Sequence, residues 1–335
     1  MTAAIRTTFC RLGTAISLSL CAATSPSAEP ANGTPWRHGI IEAKSDAGIL
    51  MMVTRGFAAQ QGLNLDIMQF KSDAIGLKAL LAGEIDSYDG ALTGTVVAAS
   101  RGIDVKLLGC HWPGLPHGIF VRNTIASVDD LKGKTIAIST PFSHPDVIAR
   151  TLLAKHNIDA ADVKFANMGG DVDRFKALVA GVVDATVISN EYTPVADKNG
   201  IRQLVSARDI VPNYIRLCMF STGNTLSARR EDAIRFLAAE MAALRYALSH
   251  RDEAIKLTRE ITGAKLDDER PGFIFDDAVR TSGVDPDMSI PLDKIAWMQD
   301  LLVRGGQLQR PVDLTRLVAS DIRAQALARL GNKPF

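Results

Sequence analysis

Short polar and acidic side chains recur where the chain passes from a predicted strand into a predicted helix. At such points the free N–H groups and the dipole of a helix N-terminus favour an anion or a carbonyl oxygen. Ser45, Asp46, Thr93 and Ser143 could hold a ligand there, although the same residue types also cap helices. A carboxylate such as Asp46 or Asp89 would repel an anion and would accept a hydrogen bond from an amine or a hydroxyl. This chemistry suits reversible binding of a small molecule.

Aromatic and imidazole rings form a second set of candidates. Phe142 and Tyr192 could stack on a planar ligand or pack in the core. His111 and Trp112 lie in the segment Cys110–His117, which follows a predicted strand and begins a crossing between two lobes. These two side chains could form one wall of a pocket.

The chain carries no sequence motif for catalysis or for a cofactor. A Gly-x-Ser-x-Gly elbow, a Gly-x-Gly-x-x-Gly loop and a P-loop are all missing from the sequence. His111, His117 and His144 raise the question of a metal site, but they lack a compact ligand motif such as His-x-x-x-His. We therefore predict no catalytic residue, no metal and no cofactor.

Two stretches of the chain resemble each other at a fixed separation. Lys78–Asp86 and Lys176–Asp184 are identical at six of nine positions and lie 98 residues apart (176 − 78). The same separation relates Asp73 to Asp171. A repeat of this length indicates two similar structural units.

Each unit alternates predicted strands and helices, which is typical of a mostly parallel sheet flanked by helices. We expect an α/β fold of two lobes with a cleft between them. From about Glu231 the pattern becomes helical, and this helical part is assigned to the first lobe. The predicted lobes are residues 36–112 with 220–330, and residues 113–219.

Ligands of open α/β sheets bind outside the carboxyl ends of the strands. The repeat therefore pairs Glu42–Asp46 with Thr140–His144, and Asp89–Gly94 with Val187–Tyr192, around the cleft. The residues predicted to bind the ligand are Ser45, Asp46, Asp89, Thr93, His111, Trp112, Phe142, Ser143, His144, Asn190, Glu191 and Tyr192.

Composition excludes several classes of protein. With 335 residues, 47% hydrophobic and 22% charged, the chain is globular rather than disordered. A formal net charge of +1 argues against binding to nucleic acid. Arg6 and Arg11, followed by a short apolar run and small residues, are typical of a secretory signal peptide over residues 1–28. That run is too short to span a membrane.

Removal of the signal peptide would leave two of the four cysteines, Cys110 and Cys218, and a net charge of −1 (1 − 2). An exported protein can carry a disulfide. The spacing does not show whether the two Cα atoms come close enough for one. A disulfide between Cys110 and Cys218 and a pair of buried free thiols therefore remain open as alternatives, and we expect the free thiols.

Four segments carry a resemblance to a known family. Ser127–Ala137 resembles the pattern S-x-x-D-L-K-G-K-x-I-A, and Ala177–Ala185 resembles A-L-x-x-G-x-V-D-A. Arg55–Leu63 and His156–Val163 are similar to two further motifs, the second with Asn157 in place of a glycine. Their order and spacing resemble the periplasmic substrate-binding proteins of ABC transporters, in the nitrate/sulfonate/taurine (SsuA-like) and thiamine-precursor (NMT1/THI5-like) group.

The resemblance implies a two-lobed periplasmic-binding-protein fold (type II-like) and a monomer that is not an enzyme. It implies a periplasmic protein that delivers a small organic solute to ABC permease subunits in the inner membrane. A sulfonate, a carboxylate and a pyrimidine-like heterocycle all remain open as ligands. The alternative is an enzyme of the thiamine-pyrimidine-synthase type or another small-molecule enzyme on the same two-lobed scaffold. The synthases carry a cysteine-rich iron motif that this chain lacks. A partner that is a sensor rather than a transporter also remains open.

Overall fold

The computed structural model describes residues 33–41, 47–70, 72–141 and 143–331, which form two five-stranded sheets flanked by helices. The predicted signal peptide and the predicted ligand residues Ser45, Asp46 and Phe142 lie outside the described residues. No helix in the described ranges is long and apolar enough to cross a membrane.

The first sheet has the strand order β2-β1-β3-β10-β4, with β1 parallel to β2 and β3, and β10 antiparallel to β3 and β4. Its strands are β1 (Trp36–Ile40), β2 (Leu65–Gln69), β3 (Ser87–Gly90), β4 (Lys106–Trp112) and β10 (Leu217–Ser221). The helices of this part are α1 (Ala47–Thr54), α2 (Phe57–Gln60), α3 (Asp73–Leu81) and α4 (Leu92–Ser100). Helices α1 and α2 are separated at Gly56, where a φ of +71° favours glycine.

The second sheet has the strand order β7-β6-β8-β5-β9. Its strands are β5 (His117–Arg122), β6 (Thr135–Ile138), β7 (Lys164–Asn167), β8 (Ala185–Ser189) and β9 (Ile201–Ser206). The helices are α5 (His144–Lys155), α6 (Asp171–Val179), α7 (Thr193–Ala196) and α8 (Ala207–Ile210), and a short 3-10 turn covers Asn190–Tyr192. The chain enters this lobe between β4 and β5 and returns between α8 and β10. The boundary expected after residue 219 falls inside β10, which pairs in the first sheet.

The repeat is visible in the hydrogen bonds that join matching pairs of neighbouring strands in the two lobes. Asp86 Oδ2 accepts the backbone N–H of Arg37 at 2.8 Å, and Asp184 Oδ2 accepts that of Thr135 at 2.9 Å. Both pairs are 49 residues apart, and each member of the second pair follows its counterpart by 98 positions (135 − 37 and 184 − 86). The two lobes therefore share the same local geometry as well as the same order of elements.

The helical part after β10 serves both lobes. Its helices are α9 (Gly223–Ala228), α10 (Arg230–Ser249), α11 (Arg251–Thr262), α12 (Arg270–Arg280), α13 (Leu292–Arg304), α14 (Leu314–Leu317) and α15 (Ser320–Leu330). Helix α10 buries a long apolar face against α1, α2 and α15 of the first lobe. Helix α12 instead packs on the Asn190–Tyr192 turn and on α7 of the second lobe.

Cys110 and Cys218 form a disulfide, so the expectation of two free thiols is wrong. Strands β4 and β10 are neighbours in the first sheet, and their pairing brings the two Cα atoms to 3.9 Å. The bond closes a loop with a sequence separation of 108 residues, which contains the whole second lobe.

A cluster of ionisable side chains is buried between the first sheet and α10. His111 Nε2 lies 3.1 Å from Asp89 Oδ2, and His111 Nδ1 lies 3.9 Å from Glu240 Oε1. His38 Nδ1 is 2.8 Å from the hydroxyl of Ser87 on the neighbouring strand. All five side chains are at most 1% exposed, so the ionisable ones have lost nearly all contact with bulk water.

Burial shifts two of these groups towards their neutral forms. Desolvation, and then the charge of Asp89, raise the pKa of Glu240 well above its usual range, so this carboxyl keeps its proton in the fold. Desolvation lowers the pKa of His38 to about 4, against the opposing effect of Asp89. The folded protein therefore binds the Glu240 proton more tightly than the unfolded chain does, and the His38 proton less tightly.

Replacement of Glu240 by Gln is expected to stabilise the fold increasingly as the pH rises from 5 towards neutrality. The unfolded chain ionises Glu240 above its ordinary pKa while the fold holds the proton, so the wild type loses stability over this range. The loss approaches about 1.4 kcal/mol per pH unit, the value for one proton. Urea denaturation of both proteins at several pH values measures the difference in their free energies of unfolding. Both proteins contain His38, so its contribution cancels in this difference. Parallel stability curves would contradict the prediction.

Loss of the disulfide is expected to lower the free energy of unfolding by about 2–4 kcal/mol, because the unfolded chain is released from a large closed loop. Urea denaturation with and without a thiol reductant measures this change. The double variant with Cys110→Ser and Cys218→Ser is the control, because the reductant should not affect it. Equal stability of the oxidised and reduced wild type would contradict the prediction.

Candidate functional site

A cavity of about 140 Å³ lies between the two lobes. It is bounded by the segments that cross between the lobes, by the start of α1, by loops at the carboxyl ends of second-lobe strands, and by the helices after β10. The residues that line it are Gly48, Trp112, Pro116, His117, His144, Asp171, Ser189, Glu191, Arg216, Leu244, Ala247, Leu248, Ala254, Thr258, Pro271, Ile274, Phe275, Ala278 and Val284. A concave site with a few convergent polar groups and an apolar wall is the usual form of a small-molecule site.

The two crossing segments meet at an indole and a guanidinium. Trp112 ends β4, and Arg216 precedes β10 directly. The Arg216 backbone N–H donates to the Trp112 carbonyl oxygen at 2.9 Å, and its guanidinium lies 5.2 Å from the centre of the indole ring. The backbone bond and the cation–π contact together hold a positive charge at the edge of the cavity.

The second lobe contributes two imidazoles and two carboxylates. His117 begins β5 and His144 begins α5, and their rings meet edge to face with 4.8 Å between the centroids. Asp171 Oδ2 accepts the backbone N–H of Ser189 at 2.9 Å, and its Oδ1 is paired with the buried Arg174. The charge of Asp171 is therefore compensated within the lobe.

Helices α10, α11 and α12 form an apolar wall. The residues of this wall are Leu244, Ala247, Leu248, Ala254, Pro271, Ile274, Phe275, Ala278 and Val284. The polar lining residues include Arg216, the two histidines and Glu191. This combination suits a ligand with a polar or charged end and a hydrocarbon or ring body.

The predicted ligand residues that the structure describes lie in the cavity, in the buried ionisable cluster, or in local contacts outside both. Trp112, His144 and Glu191 line the cavity. Asp89 and His111 face each other in the buried cluster between the first sheet and α10, and His111 directly precedes Trp112 of the cavity.

The other described candidates make local or structural contacts. Ser143 precedes α5, and its hydroxyl donates to the Thr140 carbonyl oxygen at 2.6 Å. Thr93 is half-buried in the first turn of α4. Tyr192 is buried, with its ring centroid 4.6 Å from that of Phe175.

Asn190 contacts a helix of the tail. It is buried, and its Nδ2 donates to Asp277 Oδ2 of α12 at 3.3 Å. Asn190 therefore lies at the contact between the second lobe and α12, beside Glu191 of the cavity.

Several lining residues were absent from the sequence-based prediction. His117 and Arg216 stand at the ends of the two crossing segments, and Asp171 is the counterpart of Asp73 in the repeat, so these three had a positional signal. The apolar wall had none, because amphipathic spacing identifies a buried face without showing what that face meets. In the described ranges, no group of three or more His, Cys, Asp or Glu residues is placed to hold a metal ion.

The chain resembles a known family in its sequence and solved proteins in its fold. Residues 44–254 match the family model described as NMT1/THI5 like. Comparison with curated protein sequences returns no match.

Three solved structures illustrate the likeness of fold. The periplasmic aliphatic sulphonate binding protein SsuA from Escherichia coli matches with a TM-score of 0.70 and 19% identity, over 84% of this chain and 92% of that one. The periplasmic nitrate-binding protein NrtA from Synechocystis matches with a TM-score of 0.67 and 15% identity, over 90% and 92%. A zinc-bound ligand-binding component of an ABC-type import system from Staphylococcus aureus matches with a TM-score of 0.71 and 13% identity, over 88% and 99%.

The family model covers more than half of the chain, and the solved structures share both lobes with it. The protein is therefore a member of the NMT1/THI5-like family with the two-lobed fold of the periplasmic binding proteins.

Proposed function

We propose that the protein is a solute-binding component of an ABC importer, which binds a small organic solute between its lobes and delivers it to a membrane permease. The observation that carries the proposal is the cavity itself, which takes its polar and apolar walls from both lobes and from the two crossing segments. Two lobes joined by short crossing segments can close on a ligand by hinge rotation. The protein acts outside the cytoplasm as a monomer, after removal of the signal peptide.

The fold neighbours support this function. They are described as binding proteins for aliphatic sulphonate and for nitrate, and as a component of an import system.

The polarity of the cavity favours an organic anion. Arg216 supplies a fixed positive charge, and the imidazoles of His117 and His144 can donate hydrogen bonds to sulfonate or carboxylate oxygens. The apolar wall would be left unfilled by an inorganic ion such as nitrate, whereas a carbon body would cover it. A pyrimidine-like heterocycle is the second candidate, because the indole of Trp112 also faces the cavity.

A thermal-shift screen with sulfonates, carboxylates, pyrimidines and nitrate is expected to stabilise the protein with an organic anion and not with nitrate. A ligand at 100 times its Kd should add about 2.7 kcal/mol to the free energy of unfolding. Chromatography of each stabilising compound after incubation tests for conversion. Catalytic turnover would contradict the binding-protein function, and stabilisation by pyrimidines alone would contradict the organic anion.

Replacement of Arg216 by Gln is expected to weaken the binding of an organic anion about 10–100-fold, because a charged hydrogen bond contributes about 1.5–3 kcal/mol. Isothermal titration calorimetry with the compound from the screen measures the change. Arg230→Gln is the matched control, since Arg230 pairs with Asp321 on the surface, away from the cavity. Equal affinity of the two variants would remove Arg216 from the site.

A further inference from the structure

Helices α11 and α12, with the turn between them, bridge the two lobes beside the cavity. We call this segment, residues 251–280, the strap. At its first end α11 is attached to the first lobe, where Glu253 is paired with Arg55 and accepts a hydrogen bond from Tyr246 Oη at 2.9 Å. Helix α11 also packs against α1 and α10.

The second end of the strap is attached to the second lobe. Asp277 of α12 is 4% exposed, and its Oδ2 accepts hydrogen bonds from Arg208 Nη1 at 3.0 Å and from Asn190 Nδ2 at 3.3 Å. The guanidinium of Arg270 lies 5.7 Å from the centre of the Tyr192 ring. Arg270 begins α12 and Asp277 lies near its end, so the helix is docked on the second lobe over most of its length. Helix α11, in contrast, is held by the first lobe.

The two helices are also tied to each other. Arg251 of α11 donates to both carboxylate oxygens of Asp276 on α12, at 2.7 and 2.8 Å. A continuous series of contacts therefore runs from Arg55 in the first lobe to Arg208 in the second.

The strap faces the cavity with its apolar side. Ala254 and Thr258 of α11, and Ile274, Phe275 and Ala278 of α12, are all lining residues. The attachments and the cavity wall are thus parts of the same two helices, and any movement of the second lobe relative to the first must move this wall or detach it.

The strength of the attachment lies in the burial of Asp277. Loss of a charged partner from a buried carboxylate costs far more than the loss of a surface pair. Arg208 is the partner from the second lobe, and its side chain is 22% exposed. Arg280 also pairs with Asp277, but it belongs to α12 itself and is 72% exposed, so it cannot join the lobes.

We propose that the strap is a latch, in which the contact of Asp277 with Arg208 and Asn190 holds the cavity closed and must part for a solute to enter or leave. This inference rests on the proposed binding of a solute in the cavity. When the contact parts, α12 separates from the Asn190–Tyr192 turn, and the apolar wall opens along the line between the lobes.

Hydrogen exchange measured by mass spectrometry tests the latch without any ligand. Arg208→Gln is expected to speed exchange of the amides in α12 and in residues 190–192 about tenfold or more, as a loss of about 1.4 kcal/mol of docking free energy does. Asp277→Asn, which keeps the shape of the side chain, should act in the same direction. Arg280→Gln also removes one positive charge beside the Asp277 carboxylate, and it should leave the exchange of these amides unchanged.

Acrylamide quenching of Trp112 gives a second readout, because this indole lines the cavity and is only 7% exposed. Arg208→Gln should increase quenching of the tryptophan emission, and the increase should vanish when Trp112→Phe is added. Arg280→Gln should quench like the wild type.

The latch is overturned if neither Arg208→Gln nor Asp277→Asn changes exchange in α12. It is also overturned if exchange rises equally across the whole chain, since that result indicates general destabilisation. Both readouts work without a solute, so a failed ligand screen leaves this test intact, and an overturned latch leaves solute binding in the cavity unaffected.

Discussion

Two carboxylates, the exposed Asp73 and the half-buried Asp171, hold matching strand-to-helix turns in place, and the second of these turns borders the cavity. Asp73 accepts the backbone N–H of Ala91 at 2.9 Å, and Asp171 accepts that of Ser189 at 2.9 Å. Each carboxylate begins a helix and reaches across to the end of the next strand in its lobe. A backbone group at such a position would otherwise lose its hydrogen bond on burial. With this bond made, the turn that carries Glu191 has a defined position, and so has its counterpart before α4.

The partners of these two carboxylates make the lobes different. Asp73 receives a second hydrogen bond from the neutral Tyr88 hydroxyl at 2.7 Å, whereas Asp171 is paired with the buried Arg174. The same backbone bond is thus kept in both lobes while the charge around it changes. Asp171, which lines the cavity, therefore has a charged partner within its own lobe. The two halves of the repeat therefore share a backbone hydrogen bond, while the side chains around it, Tyr88 in one lobe and Arg174 in the other, differ in charge.

Much of this arrangement could be predicted from the sequence. The repeat and the alternation of strands and helices indicated two α/β lobes. Neighbouring residues of a strand point to opposite faces, and this alternation accounts for the fact that Trp112 lines the cavity while His111 is buried in the ionisable cluster. The disulfide and the strap depend on approaches between residues that are far apart in the chain. Local patterning carries no signal for such approaches, which come from tertiary packing.

The disulfide joins β4 to β10, and these are the strands from which the chain leaves the first lobe and to which it returns. The second lobe is therefore inserted between two strands of the first lobe that the disulfide joins covalently. Because the disulfide joins β4 to β10, the two crossing segments start from one covalently linked point of the first sheet, and the proposed hinge rotation would take place beyond that point. A single cut in the backbone of the second lobe would also leave both fragments linked. The disulfide thus fixes the point from which both crossing segments start and keeps the second lobe attached after a single backbone cut.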